Sequence, residues 1–186
     1  SRLVSPLMGP SRAARNRRWL VVLAVAFIVI GLASRLRPET FAPLIEARFP
    51  GVEWIDAETL YRSMNAPELA APIILDVRTE EEFAVSHLRG AVRVEPGHRD
   101  FESLAIDRGA TVVVYCSVGY RSAAIVDALR ASGIAKVRNL RGGIFTWANE
   151  SRPVFRNGQP ASTVHPYDAL WGLLLRDDLR GEPARH

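Results

Sequence analysis

Two mainly apolar runs constrain the fold of this chain more than any other feature. The runs APIILDV (71–77) and TVVVYC (111–116) are short, rich in β-branched residues and bounded by polar or turn-forming residues, as buried strands are. Strands that are apolar throughout are covered on both faces, which is typical of mostly parallel sheets with helices on either side. The sequence therefore predicts an α/β fold.

Weaker strands and amphipathic segments alternate with these runs. Asp56 is predicted to cap one helix, and Thr79 with Glu82 has the spacing of a capping box that opens another. Gly133 is expected to end the longest helix. The pattern predicts short strands at 53–55, 91–94 and 137–140, and helices at 56–64, from 79, at 101–106, at 120–133 and at 142–150.

The arginines are concentrated at the start of the chain. Residues 1–37 contain seven arginines and no acidic residue, so the remaining 17 basic and 20 acidic residues give the rest a net charge of −3. A mildly acidic globular part argues against nucleic-acid binding. The basic excess lies instead where a membrane would attract it.

An apolar segment follows the first arginines. Residues 19–33 are 15 uncharged residues, which as a helix would span roughly 22 Å of the ~30 Å hydrocarbon core. Snorkelling arginines and Trp19 can cover the difference. We expect a basic cytoplasmic segment (1–18) and a transmembrane helix (19–36) of a bacterial inner membrane, with the rest of the chain on the periplasmic side. The alternative is a signal peptide cleaved near Ala33.

Cys116, the only cysteine, lies where the strongest predicted strand ends and the longest predicted helix begins. One cysteine excludes an internal disulfide framework and a multi-cysteine zinc site, and the four histidines show no metal-ligand spacing, so no metal is expected. In open parallel sheets, sites form at such junctions between strands and helices.

The loop CSVGYR (116–121) could hold this thiol as a thiolate. Successive backbone N–H groups, the positive end of the following helix and Arg121 all favour the negative charge, and Gly119 permits an unusual backbone shape. The alternative is a buried residue at a strand end, and position alone leaves both interpretations open. The composition of the loop favours the site.

Two longer stretches resemble the motif regions of the rhodanese-like family. ILDVRTEEEFAVSHLRGAVRV (74–94) is similar to its upstream motif of Asp-Val-Arg, an acidic–aromatic pair, His and Gly-Ala. VVVYCSVGYRSAAIVDALRASGIAKVRNLRGGIFTW (112–147) is similar to its active-site loop, helix and Gly-Gly-Ile-x-x-Trp ending. The resemblance covers about residues 52–154. Ser86 departs from it, because the family usually has glycine before the histidine.

This resemblance implies a five-stranded parallel sheet flanked by helices on both faces. It also implies that Cys116 accepts a sulfane sulfur from an anionic donor, such as thiosulfate or a persulfide, and passes it to a thiol or another thiophilic acceptor. Neither a metal nor an organic cofactor is needed. The residues expected to bind the substrate are Ser117, Val118, Gly119, Tyr120, Arg121 and Ser122.

Loop length separates functions within this fold. Four residues lie between Cys116 and Arg121, whereas the related dual-specificity phosphatases have five. The tighter loop suits a single sulfur better than a tetrahedral phosphate, which favours a sulfurtransferase over a phosphatase or an arsenate reductase. A non-catalytic binding or sulfur-carrier module remains an alternative.

Three further residues have a structural and a functional interpretation. Asp76 and Arg78 either steer the loop or form an ion pair, and the ion pair is favoured. Ser122 either caps the helix or lines the pocket, and the cap is favoured.

Two segments flank the predicted domain. Residues 37–51 are expected to form a linker and a short helix, and residues 155–186 a C-terminal extension. Within the extension, the leucines and Trp171 between 167 and 180 have near-helical spacing, which predicts a helix packed on the domain. The alternative is a helix that binds a partner or a membrane surface.

Overall fold

The computed structural model describes residues 36–66, 68, 70–98 and 100–181. Apart from Leu36, the predicted transmembrane segment (19–36) and the basic segment before it lie outside this part. Within the described ranges, no helix is both long and apolar enough to cross a membrane.

A five-stranded parallel sheet forms the centre of the fold. Its strands are β1 (Trp54–Ile55), β2 (Ile73–Asp76), β3 (Val92–Arg93), β4 (Thr111–Tyr115) and β5 (Lys136–Leu140). They are arranged in the order β1-β5-β4-β2-β3, and every neighbouring pair is parallel. The predicted parallel α/β sheet is therefore confirmed.

The central strand β4 is buried from Val112 onward, which explains why these positions are apolar. Val113 and Tyr115 belong to a core cluster on one face of the sheet, with α5 (Gly143–Asn149). Val112, Val114 and Cys116 belong to the cluster on the other face, with α4 (Tyr120–Ala131). Both faces are covered, so neither set of side chains needs to be polar.

The helices on the two faces begin largely where the sequence predicts. The three before α4 are α1 (Ala42–Arg48), α2 (Ala57–Asn65) and α3 (Glu80–Val85), and short 3₁₀ helices span Pro38–Phe41 and Phe101–Leu104. Asp56 caps α2 by accepting a hydrogen bond from the Thr59 amide at 2.7 Å. Both bonds of the capping box between Thr79 and Glu82 are present at the start of α3.

The predicted helix at 167–180 is wrong. The extension instead forms the hairpin β6 (Val154–Arg156) and β7 (Gln159–Ala161), then 3₁₀ turns at Trp171–Leu174 and Asp177–Leu179.

Side chains in the extension form hydrogen bonds with the backbone of its turns. The Asp168 carboxylate accepts hydrogen bonds from the amides of Leu170 and Trp171, both at 2.8 Å. The Arg180 guanidinium donates to the carbonyl oxygens of Gly172 and Leu175. Such local side-chain bonds compete with helix formation.

The extension nevertheless packs on the domain. Leu174 and Leu175 are buried, and Phe155 exchanges two backbone hydrogen bonds with His87, at 2.8 and 2.9 Å. The Ser86 hydroxyl donates to the Thr163 carbonyl at 2.7 Å. The serine that departs from the family pattern has an extended backbone open to any residue, and it helps to hold the extension in place.

Candidate active site

Cys116 lies between the end of β4 and the start of α4, and it is 1% exposed. Its Sγ accepts a hydrogen bond from the Gly119 amide at 3.1 Å. The Ser122 hydroxyl, 3.5 Å away, donates a second. The sulfur is thus placed at the N-terminus of a 12-residue helix, where the unpaired amides and the helix dipole favour negative charge.

Fewer backbone amides bind the sulfur than the sequence predicts. Residues 117–121 are all described, and of their amides only that of Gly119 hydrogen-bonds to Sγ. Tyr120 and Arg121 belong to the first turn of α4, where N–H groups have no intrahelical acceptor. An anion bound beyond Sγ at this helix end is in the favourable part of the dipole field.

Hydrogen bonds from outside fix the shape of the loop. The carbonyl oxygens of Cys116 and Ser117 accept from the amides of Ile144 and Phe145, at 2.9 and 3.1 Å. The fully buried Asn139 of β5 donates its side-chain amide to the Gly119 carbonyl at 2.8 Å. Three loop carbonyls are therefore directed toward β5 and α5.

Two positions in this arrangement require glycine. A Cβ on Gly143 would lie 2.3 Å from the Cys116 carbonyl oxygen and 2.5 Å from that of Ser117. Gly119 has φ +110°, a region that L side chains rarely adopt, and a Cβ there would lie 3.3 Å from the Trp54 ring.

An ion pair holds Arg121 beside the loop. Its Nη1 and Nη2 donate to the two Glu82 carboxylate oxygens at 2.7 and 2.8 Å, and Nη2 also donates to the Ser117 hydroxyl at 2.9 Å. Ser117 in turn donates to Glu82 at 2.8 Å. The capping box at Thr79 was the only role that the sequence indicated for Glu82.

The environment favours the ionised forms of Glu82 and Arg121. Burial alone would raise the pKa of Glu82. The hydrogen bonds and charge of Arg121, together with the Thr79 amide and the Ser117 hydroxyl, outweigh this effect and lower the pKa to about 2. Burial lowers the pKa of Arg121, but its hydrogen bonds to Glu82 and the nearby Cys116 and Glu82 side chains outweigh this and raise it. Both groups are ionised at neutral pH.

The predicted ion pair between Asp76 and Arg78 is confirmed. Both side chains are fully buried, and Arg78 Nη2 lies 2.6 Å from Asp76 Oδ2. Arg78 also donates to the Ser86 carbonyl at 2.6 Å, and its guanidinium lies over the Tyr115 ring. The pair connects the end of β2 with the end of α3 and forms no hydrogen bond to Cys116.

Ser122 does not cap α4, so the favoured prediction for this residue is wrong. Gly119 occupies the N-cap position without any side-chain bond. Ser122 is fully buried one turn further on, with its hydroxyl toward the Cys116 sulfur. The loop has no residue to spare for a side-chain cap, because its glycine is needed for the left-handed turn.

Cys116 is one of the residues that line a cavity of about 380 Å³. Its lining combines the loop with both flanking segments: Phe41, Leu44, Ile45, Cys116, Ser117, Val118, Tyr120, Arg121, Tyr167 and Trp171. Among the described residues, no group of three or more His, Cys, Asp or Glu side chains is placed to hold a metal ion.

The family model for the Rhodanese-like domain matches residues 56–150, more than half of the chain. This chain belongs to the rhodanese-like family. The match begins after α1 and ends before the C-terminal extension, so both flanking segments of the cavity lie outside it.

Rhodanese-like relatives differ in activity. The chain is 31% identical over 103 residues to a sulfurtransferase of Allochromatium vinosum, a match that covers 55% of this chain and 94% of that protein. It is 32% identical over 98 residues to a tRNA uridine(34) hydroxylase of Bacillus pumilus, covering 48% of this chain and 29% of that protein.

A solved rhodanese-like structure extends the comparison. The thiosulfate sulfurtransferase of Pseudomonas aeruginosa is similar with a TM-score of 0.53 and 25% identity. The match covers 67% of this chain and 23% of that chain.

We predict that Gly143→Ala destabilises the domain by at least about 3 kcal/mol, because its Cβ would collide with two loop carbonyls. The matched control is Gly158→Ala. Gly143 and Gly158 both have positive φ, at +58° and +76°. A Cβ on Gly158 meets nothing within 4 Å, so its expected cost is roughly 1 kcal/mol. Chemical denaturation measures both. Equal losses would show that backbone conformation alone matters at Gly143.

We predict that Glu82→Gln removes part of the acid sensitivity of the fold. With a folded pKa of about 2 against an ordinary 4.5, the carboxylate contributes stability above pH 4.5 that is lost as the pH falls toward 2. That contribution is about 3 kcal/mol. Unfolding free energies from pH 2 to 7 should therefore converge for wild type and variant at low pH. A constant difference across the range would contradict this account, and Glu80→Gln, on the same helix but exposed, is the matched control.

Proposed function

We propose that this chain is a sulfurtransferase in which Cys116 carries the transferred sulfur as a persulfide. The observation that carries this proposal is the position of Sγ at the N-terminus of α4, where Gly119 and Ser122 donate hydrogen bonds to it and Cys116 lines a cavity. Names of similar proteins support it, since they include a sulfurtransferase and a thiosulfate sulfurtransferase.

The reaction proceeds in two balanced half-reactions. The Cys116 thiolate attacks the outer sulfur of an anionic donor, thiosulfate or a persulfide, and forms a new S–S bond. The bond between the donor's two sulfurs breaks, and its electron pair leaves with sulfite or a thiolate. A thiol or another thiophilic acceptor then attacks the outer sulfur and releases the Cys116 thiolate. No external oxidant or reductant is consumed.

The loop residues have distinct roles in this proposal. Gly119 and Ser122 orient Sγ and stabilise its charge, and the start of α4 at Tyr120 stabilises the charge on the outer sulfur. Val118 lines the cavity. Arg121, which is paired with Glu82, donates to the Ser117 hydroxyl and so helps to hold the loop.

The same geometry is less suited to phosphate or arsenate chemistry. A tetrahedral oxyanion is best held by two parallel hydrogen bonds from a guanidinium. In this chain Nη1 and Nη2 of Arg121 both donate to the Glu82 carboxylate. The short loop and the engaged arginine both favour sulfur transfer.

We predict that Cys116→Ser lowers the rate of sulfur transfer from thiosulfate to cyanide by at least about a thousandfold, because the nucleophile is removed. Ser122→Ala should lower it by roughly tenfold, since one hydrogen bond to the sulfur is lost. Ser132→Ala, at the other end of α4, is the control and should match wild type. The assay measures thiocyanate formed by the purified chain.

Two results would redirect the proposal. Wild-type activity in Cys116→Ser would refute the role of this residue. A sulfur adduct on Cys116 that no acceptor removes would identify a carrier or binding module instead of an enzyme.

We also propose that residues 19–36 tether the domain to the bacterial inner membrane, with the domain in the periplasm. The support is the arginine cluster before the apolar segment and the acidic balance after it. Alkaline phosphatase fused to the C-terminus should be active in a bacterial host, and a green fluorescent protein fusion should be dark. The opposite pattern would contradict this orientation, and the mass of the purified chain would reveal cleavage near Ala33.

A further inference from the structure

The cavity above Cys116 has an apolar wall formed by Phe41, Leu44, Ile45, Tyr167 and Trp171. All five residues lie outside the matched family region of 56–150. The two flanking segments contact each other, with the rings of Phe41 and Trp171 5.1 Å apart. The apolar wall is therefore formed by the two segments that flank the matched region.

The charge inside the cavity is nearly neutralised. Among the described residues that line the cavity, Arg121 is the only basic one and none is Asp or Glu, and both of its terminal nitrogens donate to Glu82. The Tyr167 ring covers the same guanidinium at 4.9 Å. A small inorganic anion thus gains little from a free positive charge here, whereas an apolar group would be removed from water by the wall.

Two residues of the apolar wall remain exposed although they are large and apolar. Leu44 is 69% exposed and Tyr167 is 47% exposed. Tyr167 also has φ +67°, which is unusual for a bulky residue, and its amide donates to His165 Nδ1 at 3.0 Å. The extension holds this ring over the cavity in an unfavourable backbone conformation, a feature that tends to mark functional sites.

We infer that the sulfur donor carries an apolar organic group about the size of a phenyl ring. The apolar wall binds this group, and the terminal sulfur of the donor contacts Cys116. This inference rests on the proposed sulfur transfer. The donor is an organic persulfide (R–S–S⁻) or thiosulfonate (R–SO2–S⁻). Attack by the Cys116 thiolate forms the Cys116 persulfide and releases R–S⁻ or R–SO2⁻ with the electron pair of the broken S–S bond, so charge and atoms balance.

The test compares two donors that differ only in R, benzenethiosulfonate and methanethiosulfonate. The kcat/KM of the full chain is measured for each with cyanide as acceptor, and the phenyl-to-methyl ratio is compared between variants, so that the intrinsic reactivity of the donors cancels. Burial of a phenyl group against the wall should be lost in Tyr167→Ala and in Leu44→Ala, which lowers the ratio about threefold to tenfold. Both residues are exposed, so both variants should fold.

Two further variants are matched controls. Tyr167→Phe keeps the ring and should keep the wild-type ratio. Leu170→Ala removes a leucine of the same extension that is 72% exposed and outside the lining, and it should also keep the ratio. Equal ratios in wild type, Tyr167→Ala and Leu44→Ala would overturn the inference and leave sulfur transfer intact. If neither these donors nor thiosulfate adds the mass of one sulfur to Cys116, the proposed function itself fails.

Discussion

The hydrogen bonds between the first amides of α5 and the carbonyl oxygens of Cys116 and Ser117 determine the geometry of the site. They turn the loop so that the Cys116 sulfur meets the Gly119 amide and the start of α4. The contact is possible because Gly143 has no side chain between α5 and the loop. An anion bound beyond this sulfur would lie in the positive field of the amides and the helix end.

Around that contact, distant parts of the chain hold the loop from three directions. Asn139 binds it from β5, and Glu82 binds Arg121 and Ser117 from α3. The C-terminal extension adds Tyr167 above Arg121 and is itself held by Ser86. The rhodanese-like domain therefore supplies Cys116 and the residues that hold its loop, whereas the two flanking segments supply the apolar wall of the cavity.

The sequence was most informative where a local pattern determines the structure. The strands, the Asp56 cap and the Thr79–Glu82 capping box depend on residues close together in the chain, and so does the position of Cys116 between a strand and a helix. The bond between Glu82 and Arg121 joins residues 39 positions apart, and nothing local indicates it. In the extension, leucine spacing suggested a helix, but the side chains of Asp168 and Arg180 bind the backbone instead, and spacing alone does not reveal such bonds.

The most direct test of this account is the number and position of sulfur atoms that the chain accepts from a donor. The purified chain is incubated with thiosulfate or an organic thiosulfonate, freed of excess donor and examined by mass spectrometry before and after digestion. We predict one added sulfur per chain, on the peptide that contains Cys116, and its release by a thiol. No added sulfur, or an equal amount on the Cys116→Ser variant, would contradict the account.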